Sequence, residues 1–300
     1  MSAAQQTRTA GLDVAVRDLT LRYGRTTALD GVTFDLPAGG IHGLLGRNGS
    51  GKTTLLSVLA AMRRGASGEV RVDGEDPFEN ARVMGATAIV REGGDVLTTE
   101  KVATNLRFAA AMRPGFDAAW AEELLDAFAI DRRKTPDKLS RGQRSALGAV
   151  IGLVTRAPLT IFDEVYLGMD APSRQRFYDV LLADVVAHPR TVILSSHLIG
   201  EIEHLLERVV ILDAGRVLLC EEADALRAKG VTITGPADRV DAAVAGLAVV
   251  GSRELGHTRQ VTVFDDLDDG ALARAADAGL ELGGVPLQDL FIHLTGKESR

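Results

Sequence analysis

Hydrophobic positions follow two rhythms along the chain. Val14 to Tyr23 and Val32 to Leu36 alternate apolar with polar residues in the manner of antiparallel strands, with turns at Tyr23-Gly24 and Leu36 to Gly40. Ile41 to Leu45 and Thr87 to Val90 are short apolar runs, and Val70 to Gly74 predicts a further strand and turn. Pro158 to Phe162 and Thr191 to Leu194 are continuous apolar runs, the pattern of central parallel strands. Helical patterning covers Thr53 to Met62, and from about Val96 to Leu153 it covers Lys101 to Met112, Ala118 to Phe128 and Gln143 to Val154. Arg208 to Asp213 and Arg216 to Cys220 predict a hairpin around Ala214-Gly215. Alternating strands and helices predict an α/β sheet with covered faces.

After about Gly230 the texture changes. Val231 to Thr234, Asp238 to Ala245, Val249 to Glu254, Gln260 to Phe264, Ala271 to Ala278 and Leu280 to Val285 predict β-α-β-β-α-β, a small ferredoxin-like appendage. A terminal helix, Leu287 to Leu294, follows. Asp265 to Asp269 lacks the spacing of a calcium loop and reads as a solvated acidic turn.

Composition narrows the classes. A net charge of −7 argues against a nucleic-acid binder that relies on a broad basic surface. The one cysteine, Cys220, excludes an internal disulfide and suits a reducing compartment. Met1 to Gly11 lacks the apolar core of a signal peptide, and no apolar run is long enough to span a bilayer. The expectation is a cytoplasmic chain.

Gly46-Arg47-Asn48-Gly49-Ser50-Gly51-Lys52-Thr53 fits the phosphate-binding pattern G-x-x-x-x-G-K-[ST], between a predicted strand and a predicted helix. Glycines let the backbone curl so that successive N–H groups face one point, where the helix N-terminus adds positive potential. Lys52 is expected to reach the β- and γ-phosphates and Thr53 to ligate Mg²⁺, with Thr54 completing the loop. Leu159 to Glu164 is an apolar strand ending in two carboxylates, and in a parallel sheet the C-terminal strand end opens onto the nucleotide crevice. There Asp163 is expected at the metal and Glu164 as acceptor of a proton from water. Leu139-Ser140-Arg141-Gly142-Gln143 opens a helix, with Ser140 and Gln143 spaced as a capping box.

This set resembles the ATP-binding-cassette (ABC) ATPases over about residues 12 to 225. Leu139 to Gln143 is similar to their L-S-G-G-Q signature, with Arg141 at the middle glycine. The resemblance implies that Ser140, Gly142 and Gln143 contact ATP held by another subunit, and that Asp170 in Gly168-Met169-Asp170 belongs to the loop communicating between the two sites. It further implies that His197 contacts the γ-phosphate and that Tyr23 stacks on adenine. The implied fold is a P-loop NTPase of the ABC type, with a RecA-like parallel core, an antiparallel β subdomain and a helical subdomain at about 95–155. Expected domains are 12–228 and a C-terminal 229–300, whose Leu287-Gln288-Asp289-Leu290-Phe291 stretch resembles the extension of bacterial ABC-2-type exporter ATPases.

The implied function is hydrolysis of Mg-ATP by a homodimer, or a heterodimer with a paralogue, that drives a separate membrane permease from the inner face of the membrane. One departure stands out: the family glutamine after the strand Thr87 to Val90 is missing, and Arg91 or Glu92 takes its place. Glu92 could approach Mg²⁺ but has no amide with which to donate. Two other readings compete: a regulatory cassette with weak turnover, and a soluble ABC ATPase acting on ribosomes or DNA.

Overall fold

The computed structural model describes residues 11–65, 67–228, 230–264 and 275–296. The chain divides into two compact units. The first runs to His197 and regains Val210–Cys220, while the second holds Leu198–Val209 and the chain from Glu221 onward.

In the first unit, β1 (Val14–Tyr23) and β2 (Thr26–Leu36) form an antiparallel hairpin. β2 begins six residues before the strand expected at Val32, since only Leu29 is buried between Thr26 and Gly31 and no apolar alternation marks that stretch. β3 (Ile41–Leu45) leads into α1 (Lys52–Leu59), and β4 (Ser67–Val72) returns to pair with β1. Next come α2 (Ala81–Ala86), β5 (Thr87–Arg91), α3 (Val102–Met112), α4 (Ala118–Ala127) and α5 (Arg141–Val154). β6 (Leu159–Asp163), α6 (Ala171–Ala187) and β7 (Thr191–Ser196) follow, then β8 (Arg208–Asp213) and β9 (Arg216–Glu222); the short α7 (Ile199–Ile202) between β7 and β8 belongs to the second unit.

The central sheet has the order β5-β6-β7-β3-β8-β9, with β5/β6, β6/β7 and β3/β7 parallel. Every residue of β3, β6 and β7 is buried, so these strands carry continuous apolar runs. Ala214 and Gly215 both have positive φ, as a tight turn between β8 and β9 requires. Leu55, Leu56 and Leu59 of α1 pack with Val14, Val16, Leu159 and Ile161 in one core that joins helix and both sheets. Helix α6 was not evident from apolar spacing. Its start is nevertheless well marked, because Asp170 accepts from the Ser173 N–H and Pro172 sits in the first turn.

The second unit contains α8 (Ala223–Ala228), β10 (Gly230–Pro236), α9 (Ala237–Ala243), β11 (Val249–Leu255), β12 (Thr258–Phe264), β13 (Glu281–Gly284) and α10 (Leu287–Gly296). Its sheet runs β11-β12-β10-β13, with β10 antiparallel to both β12 and β13. Val240 from α9 packs on Ile233, Val261 and Val263. The acidic run Asp265 to Asp269, and residues 271–274 of the helix expected at Ala271 to Ala278, lie outside the described residues. Among the described residues no helix is long and apolar enough to cross a membrane.

One contact fixes α5 against the sheet. A Cβ on Gly148, in mid-helix, would come within 2.2 Å of Gly94 Cα in the loop after β5. Gly to Ala inside a helix ordinarily stabilises by up to about 1 kcal/mol. Here the neighbour is backbone, so the sign reverses: Gly148→Ala is expected to destabilise by about 1–3 kcal/mol, read as a lower urea midpoint. An unchanged or higher midpoint would show that the two glycines need not approach so closely.

Candidate nucleotide site

Parallel pairing brings the C-terminal ends of β3, β6 and β7 together, with Leu45 opposite Ser196 and Asp163 opposite Ser195. The loop after β3 is held in shape by its glycines. A Cβ on Gly46 would lie 2.5 Å from Leu212 O, and Gly51, the residue before α1, has φ +107° with Ala28 O closing over it. Only glycine fits both conditions at Gly51.

Lys52 is buried and folds back on its own loop, donating to Gly46 O at 2.8 Å and Arg47 O at 3.1 Å. Its Nζ also lies 3.1 Å from Glu164 Oε1. Glu164 follows β6 directly and is held at φ +50°, a left-handed backbone uncommon outside glycine. Its second oxygen, Oε2, stands 3.1 Å from His197 Nδ1. One carboxylate therefore bridges the P-loop lysine and the histidine. The carboxylate favours a proton on Nδ1, which leaves Nε2 as the basic nitrogen facing away from Glu164.

Asp163 accepts from Ser195 Oγ at 2.8 Å and is hydrogen-bonded to Thr53. Burial pushes its carboxyl above the usual aspartate range; the Thr53 and Ser195 hydrogen bonds oppose that, the neighbouring Glu164 charge adds to it, and Lys52 counters it. A cleft of about 440 Å³ opens over these groups. Asn48, Gly49, Gly51, Lys52, Thr53, Thr54, Glu92 and Glu164 line it, as do Thr26, Thr27 and Ala28 from the start of β2.

The remaining expected residues lie around this centre. Glu92 lines the cleft, while Arg91 turns away onto Asp95, with Nη2 2.6 Å from Oδ1. Ser140 caps α5, accepting from the Gln143 N–H, and Gln143 answers by accepting from the Ser140 N–H, which completes the capping box. Gly142 packs on Gly168, where a Cβ would meet Gly168 O at 2.8 Å. Ser140, Gly142 and Gln143 do not line their own chain's cleft. Asp170 caps α6. Tyr23 is half exposed at the end of β1, with the Arg63 guanidinium 4.7 Å from its ring centre, and it does not line the cleft.

Reading the sequence missed Tyr166. It is fully buried, and its hydroxyl accepts from Ser196 Oγ at 2.9 Å and from the His197 N–H at 3.2 Å. It thus anchors the backbone that carries His197. The sequence offers little signal for it, since a tyrosine after two carboxylates reads as a loop residue.

This arrangement has the loop course and the side chains of a P-loop phosphate-binding site. The family model for the ABC transporter matches residues 29–166. The chain is 32% identical over 307 aligned residues to the daunorubicin resistance ATP-binding protein DrrA3 of Streptomyces coeruleorubidus, covering 93% of this chain and 94% of that protein. It is 30% identical to the daunorubicin/doxorubicin resistance ATP-binding protein DrrA of Streptomyces peucetius, over 91% of this chain and 89% of the relative. A solved dimeric ATP-binding cassette in a post-hydrolysis state, bound to ADP and Pi, shares the fold with TM-score 0.62 at 19% identity, over 70% of this chain and 98% of that one. The chain belongs to the ABC transporter ATP-binding family, and is an ATPase subunit of that kind.

Burial of Asp163 has a measurable consequence. Because its folded pKa is raised, its ionisation opposes folding: the stability present below its ordinary pKa of 3.8 is lost as pH rises through the raised value. Asp163→Asn removes that loss while keeping an oxygen to accept from Ser195. Without nucleotide, the variant should melt above the parent at pH 7, by about 2–4 °C per kcal/mol relieved, and the two should converge below pH 3.8. Thermal melts across pH test this, and equal melting at pH 7 would refute it.

Proposed function

We propose that the chain hydrolyses Mg-ATP as a pair, with a second copy or a paralogous subunit, and that the cycle drives a separate membrane permease in export. The observation that carries this reading is the extent of the similarity to the two drug-resistance ATP-binding proteins. It spans 93% and 91% of the chain and so takes in the region after the cassette. On this reading 12–228 is the ATP-binding domain, 229–300 a ferredoxin-like domain, and the chain works at the inner face of the cell membrane.

The residues suit a hard dication. Mg²⁺ takes few protein ligands and keeps several waters, and the hydrogen-bonded pair of Thr53 hydroxyl and Asp163 carboxylate offers the oxygens it prefers. Among the described residues no cluster of three or more His, Cys, Asp or Glu is placed to hold a metal alone. That agrees with an ion held chiefly by phosphate and water. When bound, it would neutralise charge on the phosphate oxygens.

The chain's own groups divide the remaining work. Lys52 exchanges Gly46 O, Arg47 O and Glu164 for phosphate oxygens, supplying positive charge where negative charge develops. Glu164, released from Lys52, accepts a proton from the attacking water, and His197 orients both. The amides at the head of α1 face the phosphates. Ser140 and Gly142, which do not line their own cleft, close over the nucleotide of a partner.

Glu164→Gln tests the chemistry. It should keep ATP binding, lower turnover by about 10²–10⁴-fold and accumulate ATP-bound dimers in sedimentation; near-parental turnover would remove Glu164 from the mechanism. Detergent extraction of tagged chain from its own cells tests the partnership. A stoichiometric multi-spanning membrane protein is expected in the eluate, and recovery of ribosomes or DNA in its place would overturn export.

A further inference from the structure

The two positions at which this chain departs from the cassette pattern meet each other. Arg141 Nη2 lies 2.6 Å from Glu92 Oε1, joining the signature at the head of α5 to the loop after β5. The arginine is steered there. Its aliphatic stem crosses Gly168, where a Cβ would come within 2.8 Å of Arg141 Cγ, and Gly168 has φ +94°. Glycine suits that backbone and leaves room for the stem.

The chemistry of the pair is asymmetric. Arg141 occupies the first position of α5, where the aligned peptide dipoles already create positive potential. A cation on that end of a helix is unfavourable unless an anion sits beside it, and Glu92 supplies the anion. Glu92 in turn lines the nucleotide cleft. The pair is 73% and 50% exposed, so water screens it and it opens readily. A triphosphate carries more charge than one carboxylate and offers a guanidinium several oxygens in a fork.

We infer that Arg141 is a phosphate-contacting residue held in reserve: Glu92 neutralises it in the single chain, and the triphosphate of ATP held by a second chain displaces Glu92 when two chains close. The inference rests on the paired-chain reading above and assigns to Arg141 a role that the signature glycine it replaces could not perform. It also gives Glu92 a second duty, as a competitor that keeps chains apart until nucleotide is present.

The test is the equilibrium of self-association in Mg-ATP, measured by sedimentation with full-length Glu164→Gln chain so that hydrolysis does not intervene. In that background Arg141→Ala should weaken association roughly tenfold, and Arg141→Lys should recover part of the loss. Glu92→Gln should tighten it about two- to fivefold, and that gain should be clearly smaller once Arg141 is Ala, since only the part that acts through Arg141 is lost. ATP affinity of dilute, monomeric chain should be unchanged by Arg141→Ala. A loss there would place the contact within one chain and overturn the inference in its between-chain form. Unchanged association in Arg141→Ala, or an effect of Glu92→Gln that is equally large with and without Arg141, would overturn it while leaving the paired-chain reading standing. Failure of Glu164→Gln itself to associate in Mg-ATP would remove that reading and the inference together.

Discussion

The parallel register of β6, β7 and β3 is the constraint on which the site depends. Asp163 stands opposite Ser195, and Leu45 stands opposite Ser196, so the acidic strand end, the hydroxyls and the phosphate loop leave the sheet at one level. In a sheet buried on both faces a slip of one residue would turn each side chain to the other side. It would separate Asp163 from Ser195 and lift Glu164 away from Lys52. The register is held by apolar packing below the site, through Leu159, Ile161 and Ile193 with the leucines of α1. Precision in the cleft is therefore inherited from the core beneath it.

Above that level, charge is organised by substitution. Lys52, a buried cation, is met by Glu164 and two carbonyls. Arg141, an exposed cation on a helix terminus, has Glu92. The two arrangements differ in strength because they differ in burial. A cation that is 5% exposed needs a partner at all times, since an uncompensated buried charge is costly. One that is 73% exposed is already solvated and its partner is exchangeable. The first pair preserves the loop, and the second is suited to switching.

Glycine contacts tie the helical segment to these groups. Gly94 and Gly148 let the loop after β5 lie directly on α5, and Gly142 and Gly168 let the head of α5 lie on the loop that follows Glu164. Glu92, Arg141 and Glu164 thus belong to three segments far apart in the chain that touch through backbone. Movement of α5 would be felt at all three.

The sequence by itself determined the parts that local chemistry controls. Continuous apolar runs marked the inner strands, because burial on both faces favours apolar residues at successive positions. The loop from Gly46 to Thr53 was legible because phosphate binding by backbone requires glycine at set places, and the capping box at Ser140 and Gln143 because it closes within one turn. The tertiary structure alone decided what depends on register and on segments distant in sequence. It chose Glu92 over Arg91 for the cleft by drawing Arg91 onto Asp95. It set Ser195 on Asp163 and Tyr166 beneath His197, contacts that exist only once β6 and β7 are aligned. It extended β2 back to Thr26, bringing Thr26 to Ala28 over the phosphate loop. It also paired Arg141 with Glu92, two residues whose meeting no spacing could announce, because the geometry that joins them comes from glycines on other loops.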